Sequence, residues 1–99
     1  MIYRVFFAPE ARAQLTHLYQ HIAKKSSPET AASYTEAIIS FCESLSLFPN
    51  RGVSREDIAK GIRITHYKKS TVIAFSIEDK NGFILGVFYG GQNYQSQLA

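Results

Sequence analysis

The hydrophobic period passes from that of a helix to that of a strand at Gly61, and that change limits the folds open to this chain. In the first half, apolar residues recur every three or four positions. Ala11, Leu15, Leu18 and Ile22 fall at steps of four, three and four, which is one face of a helix. Tyr34, Ile38, Phe41, Leu45 and Phe48 make the same stripe in a second helix. From Gly61 the period is two. "GIRITHY" (61–67) sets Ile62 and Ile64 on one face and Arg63, Thr65 and Tyr67 on the other. "TVIAFSI" (71–77) and "FILGVFYG" (83–90) read as two more strands. With "IYRVFF" (2–7) as an opening strand, the order is β-α-α-β-β-β. This is an α+β pattern, a helical hairpin packed on one face of an antiparallel sheet.

The breaks between these runs carry their own chemistry. Pro9 suits a first helical turn, where its missing N–H costs nothing, and Glu10 complements the positive helix end. Lys24 and Lys25 suit the other end. Ser27 is placed to cap the second helix, with Pro28 at its first position. Pro49 and Gly52 in "PNRG" end that helix, and "VSREDIAK" (53–60) reads as a surface loop. Lys68-Lys69-Ser70 makes a turn, and Asn81-Gly82 is a hairpin signal because both residues tolerate positive φ.

The chain has 99 residues, without repeats or an internal linker, and residues 1–99 are read as one domain. Cys42 is the single cysteine, so no internal disulfide can form, which fits a reducing cytoplasm. The early apolar run is too short for a signal segment and is broken by Arg4, and no stretch has the length of a membrane span. A cytoplasmic protein without membrane contact is expected. The net charge of +3 weakly favours an acidic partner or nucleic acid, but the basic pairs Lys24-Lys25 and Lys68-Lys69 form no stripe.

Several pieces in their order carry a resemblance across nearly the whole chain. They are "FAPEARAQL", "SPETAASY", "LSLFPNRG", "GIRITHYKKSTVIAFSI" and "ILGVFYGGQNY". The sequence resembles the RelE/ParE toxin superfamily of bacterial toxin–antitoxin, or plasmid stabilisation, systems, and more closely its ParE branch. The resemblance implies a toxin neutralised by a cognate antitoxin. The antitoxin would also supply DNA binding, so the toxin would meet DNA only indirectly. RelE-type members cleave mRNA on the ribosome, whereas ParE-type members inhibit DNA gyrase.

The residues favour binding over catalysis. RNA cleavage needs acid/base groups and cations placed close together. Arg63 matches the arginine of the RelE-type pattern, but Tyr89 and Gln92 stand where many relatives carry a histidine and an arginine. The basic cluster is therefore incomplete. A ribosome-dependent endonuclease and a degenerate, non-toxic interaction module remain as alternatives. His17 and His21 are four apart on a helix and could share a metal, yet they lack an evident third ligand and read as surface histidines. Cys42 reads as a small core residue, and His66 has no assigned role. Gly90-Gly91 lack the lysine and helix of a phosphate-binding loop, so neither metal nor cofactor is expected.

Two surfaces are expected. The glycine pair would end the last strand and bend the tail across the sheet, presenting Gln92, Asn93 and Tyr94 near Arg63, Tyr67 and Tyr89 as a target-recognition cluster. A frayed terminus is the alternative. The second surface follows from the strands being apolar on both faces, because a helical hairpin covers only one. Val72, Ala74 and Phe88 on the uncovered face, with Ile39 and Leu47 off the main stripe of the second helix, are the expected antitoxin contacts. Gly86 would leave room there for another chain. Partial cover by loop 53–60 and the tail is the alternative, as is Leu47 tucked under that loop.

Overall fold

The computed structural model describes residues 4–47 and 51–98. Its elements are β1 (Arg4–Phe7), α1 (Pro9–Lys25), α2 (Pro28–Glu43) with a 3-10 turn at Ser44–Ser46, β2 (Val53–Ser54), β3 (Arg63–Tyr67), β4 (Thr71–Glu78), β5 (Asn81–Tyr89) and α3 (Tyr94–Leu98). The helix starts follow the sequence chemistry. Pro9 opens α1, and the Thr30 N–H donates to Ser27 Oγ at 3.1 Å to cap α2. Positions 2 and 3 of the expected first strand, and Phe48 and Pro49 at the expected end of the second helix, lie outside the described residues.

The five strands form one sheet in the order β1-β5-β4-β3-β2. The sheet is mixed, not wholly antiparallel, because β1 runs parallel to β5 with Arg4 opposite Asn81 and Phe7 opposite Ile84. Tight turns force β3, β4 and β5 to alternate in direction. β1 is joined to the sheet through the whole helical hairpin and has no such restriction. Two local expectations are also corrected. Val53 and Ser54 leave the loop and pair with Ile64 and Arg63 as a short edge strand. The last hairpin turns at Asp79 and Lys80, with φ of 51° and 66°, while Asn81 and Gly82 are already in β5. A two-residue turn needs positive φ at both positions, and aspartate tolerates it nearly as well as asparagine.

The helical hairpin packs on one face of the sheet. Ala11 and Leu18 of α1 meet Ile38, Cys42 and Leu45 of the second helical segment over Ile73, Phe75, Ile84 and Val87. Leu15, Ile22, Tyr34 and Phe41 complete the stripes at the rim. Cys42 is wholly buried, and burial, reinforced by the nearby Glu43 carboxylate, pushes its thiol up to about 12.

The other face is closed by the chain itself. Ile62, Ile64, Ala74 and Phe88 form a second cluster, covered by Ile58 and Ala59 of the loop and by Tyr94 and Leu98 of α3. Gly90 and Gly91, with φ of 73° and 80°, turn the chain back under the sheet, and the Tyr94 ring settles 6.0 Å from that of Phe88. Ala74 and Phe88 are therefore buried and Val72 half-buried, not an open apolar face. The room beside Gly86 is filled as well, since a Cβ there would meet the Phe88 ring.

Two outcomes follow from this packing. Deleting residues 92–99 removes Tyr94 and Leu98 from the second cluster, and urea unfolding should show a loss of about 2–4 kcal/mol relative to the full chain. The Cys42 thiol, raised from 9.0 to about 12, stabilises the fold below the unfolded value and loses that contribution as pH rises from 9.0 toward 12. The slope is at most about 1.4 kcal/mol per pH unit. Unfolding measured between those limits should decline less steeply for Cys42→Ala than for the native chain, even though the variant is less stable at neutral pH.

Candidate recognition surface

The six residues expected to form one target-recognition cluster lie in three places. Arg63, on the helix-facing side of β3, donates from Nε to the Arg51 carbonyl at 3.4 Å and from Nη2 to the Gly52 carbonyl at 3.1 Å. It ties the chain entering β2 to the sheet. Tyr67 and Tyr89 belong to an aromatic group around Tyr34, whose ring lies 6.0 Å and 5.9 Å from theirs. The Tyr34 hydroxyl hydrogen-bonds Ser70 Oγ at 3.1 Å and Thr71 Oγ1 at 2.9 Å, which fixes α2 against the β3–β4 turn. Tyr94 is on the opposite face with Phe88. Asn93 Oδ1 accepts the Ser96 N–H at 3.3 Å, so its side chain caps α3. The glycine turn directs the tail beneath the second face, and this separates Tyr94 from Arg63 and Tyr67.

Gln92 and Tyr89 instead join a cleft of about 730 Å³ between α1 and the end of β5, lined also by Gln14, His17, His21 and Gln97. The tilted rings of His21 and Tyr89 are 6.3 Å apart. β1 ends opposite Ile84, and farther along β5 the Val87 N–H donates to Gln14 Oε1 at 2.7 Å. A helix side chain thus takes the place of a ladder partner, and it anchors the floor of the cleft. The cleft offers imidazoles, amides and a phenol, a set suited to hydrogen bonding with a partner's polar groups. Among the described residues no three histidine, cysteine, aspartate or glutamate side chains gather as a metal site. The sequence signal for this cleft was the row Gln14, His17, His21, whose steps of three and four share one helix face.

A second polar group lies by the tail on the other face. Arg55 forms a two-pronged ion pair with Asp57, Nε to Oδ1 at 2.9 Å and Nη2 to Oδ2 at 2.8 Å. The hydrogen bond from Arg55 holds the Asp57 carboxyl below its ordinary range. Asp57 in turn holds the Arg55 guanidinium above its own, with a smaller contribution from Tyr94. The loop that carries them is closed by the Gly61 N–H donating to Glu56 Oε2 at 2.6 Å.

Of the expected antitoxin contacts, Leu47 is exposed, and Ile39, like Val72, is half-buried. Ile39 lines a groove on the outside of the helical hairpin with Leu15, Tyr19 and Thr35. Leu47 is 69% exposed and is not tucked under the following loop. No helix of the described residues is long and apolar enough to cross a membrane.

Comparison with known proteins gives these surfaces a context. The chain matches, over residues 5–94, the family model described as "ParE toxin of type II toxin-antitoxin system, parDE". Its fold matches a solved structure described as "Chromosomal ParDE TA system from P. aeruginosa", with a TM-score of 0.77 and 22% identity, over 91% of this chain and 97% of that chain. At that identity the structural likeness is one of fold. No curated protein sequence matches the chain. The family match takes in the helical hairpin, the whole meander, the glycine turn and the start of the tail, and the chain therefore belongs to the ParE toxin family of type II toxin–antitoxin systems.

Proposed function

We propose that this ParE-type toxin acts by binding, that DNA gyrase is its target, and that a cognate antitoxin silences it. The family match over residues 5–94 carries the reading. The geometry supports a binding role for the cleft. Arg63 is occupied in holding the backbone at residues 51 and 52, and Cys42 is a buried thiol with a raised pKa. Gln92, His17 and His21 are exposed at the cleft beside Tyr89, and they are the side chains best placed to meet a protein surface. A supercoiling assay with purified toxin tests the target. Micromolar protein should block supercoiling by gyrase. A double change of His21→Ala and Gln92→Ala should raise the required concentration about tenfold or more, the cost of two lost interfacial contacts. Full supercoiling at micromolar native toxin would remove gyrase from the reading.

The antitoxin is proposed to lay an amphipathic segment on the outer groove of the hairpin, reaching Ile39 and Leu47. Leu15 and Tyr19 give the groove its apolar floor and rim. Val72, Ala74 and Phe88 contribute only where the tail leaves them accessible, because Ala74 and Phe88 are covered within the chain. Ile39→Glu and Leu47→Glu should each weaken antitoxin binding by at least about tenfold, near 1.4 kcal/mol. Calorimetric titration with the antitoxin, alongside circular dichroism to verify the fold, measures this. Unchanged affinity in both folded variants would move the contact elsewhere.

A further inference from the structure

Two lysine pairs of the chain meet at one end of the molecule. Lys24 and Lys25 close the last turn of α1, and Lys68 and Lys69 lie in the β3–β4 turn. Three contacts bring these pairs to the same end of the molecule. His21, one turn before Lys25, faces the Tyr89 ring at 6.3 Å. The Gly90 N–H, just past β5, donates to the Ser70 carbonyl at 2.9 Å. The Tyr34 hydroxyl, from the second turn of α2, reaches Ser70 Oγ at 3.1 Å.

All four lysines are exposed, and among the described residues none is paired with a carboxylate. The Lys68 ammonium lies 5.7 Å over the Tyr67 ring, a contact that leaves its hydrogen-bond donors available. Glu29, in the first turn of α2, is the one acidic residue in these turns. Glu10 is at the start of α1, Glu36 in the third turn of α2, Glu43 at its far end, and Glu78 and Asp79 at the β4–β5 turn. Glu56 and Asp57 are engaged in the loop beyond β2.

We infer that this lysine-bearing end is a contact surface for the sugar–phosphate backbone of duplex nucleic acid, without reading of base sequence. The residue type decides between polyanions. Protein interface cores are depleted in lysine and enriched in aromatic residues, methionine and arginine. Among the described residues the exposed large hydrophobic ones are Phe6, Tyr19, Leu47 and Val53, and none is in the turns that carry the lysines. Compact, flexible ammonium groups without apolar anchors suit phosphates, and the lack of arginine in the set fits backbone contact rather than recognition of guanine edges. The inference is independent of the gyrase reading, concerns a different surface, and departs from the expectation that the toxin meets DNA only through an antitoxin.

The test is fluorescence anisotropy of a labelled duplex of arbitrary sequence, about 20–25 base pairs long, titrated with the full chain at several salt concentrations. With four phosphate contacts, log K should fall against log salt with a slope of about −3.6, a loss on the order of a hundredfold between about 50 and 200 mM. The combined variant Lys24→Gln, Lys25→Gln, Lys68→Gln, Lys69→Gln should flatten that slope. Each pair changed alone should remove about half of it, which keeps the test valid if the fourfold variant folds poorly. A charge-matched variant, Arg4→Gln, Arg12→Gln, Lys60→Gln, Lys80→Gln, should keep the native slope. The inference is overturned by any of four results: no duplex binding at about 50 mM salt, a native slope in the lysine variants, an equal loss in the charge-matched variant, or binding of polyglutamate in place of the duplex.

Discussion

A helical hairpin can cover one face of a sheet, and the strands of this protein are apolar on both. Ile73, Phe75 and Val87 face the helices, while Ile62, Ile64, Ala74 and Phe88 face away. Burial of apolar surface is the main favourable term in folding, so the second set cannot simply be left in water by a chain of this size. The rest of the structure answers that requirement. The loop after β2 brings in Ile58 and Ala59, and the tail after Gly90-Gly91 brings in Tyr94 and Leu98. Segments without long periodic structure thus serve as the third layer.

The same requirement explains how the elements are locked to one another. Tyr34 joins α2 to the sheet through ring contacts with Tyr67 and Tyr89 and through hydroxyl contacts with Ser70 and Thr71. Gln14 joins α1 to β5 through the Val87 N–H. Arg63 joins β3 to the chain entering β2. In each case a polar group on a half-buried side chain satisfies a backbone or hydroxyl partner at the edge of the core. Such edge contacts add direction to a hydrophobic attraction that has none of its own.

Much of this architecture was legible because periodicity reports burial directly. The stripe of Ala11, Leu15, Leu18 and Ile22, the Ser27 cap and the strands after Gly61 are local consequences of residue type, and they stand as read. The direction of β1 was not legible, since the pattern Arg4–Phe7 is the same whether its neighbour runs parallel or antiparallel. The fate of Gly90-Gly91 was half legible. Positive φ marks a turn, but which face the tail then meets depends on the apolar Phe88 and Ile62 surface that the helices leave to be covered, a long-range property. The cluster expected from Arg63, Tyr67 and Tyr94 failed on that point. The cleft row Gln14, His17, His21 was visible as a helix face, yet its significance depended on the end of β5 lying opposite.

Closing the second face from within has a consequence for recognition. With its apolar surface used internally, the chain is left with accessible surfaces of different character on separate sides. The cleft beside Gln92 is polar, the outer groove at Ile39 and Tyr19 is apolar, and the turns at Lys24-Lys25 and Lys68-Lys69 are cationic. The groove and the cleft lie on different sides of α1, with Leu15 and Tyr19 on one and His17 and His21 on the other. A partner in the groove therefore does not need to displace one in the cleft by direct overlap. Antagonism between the two would have to pass through α1, which packs Ala11 and Leu18 into the core and is hydrogen-bonded to β5 through Gln14 and the Val87 N–H.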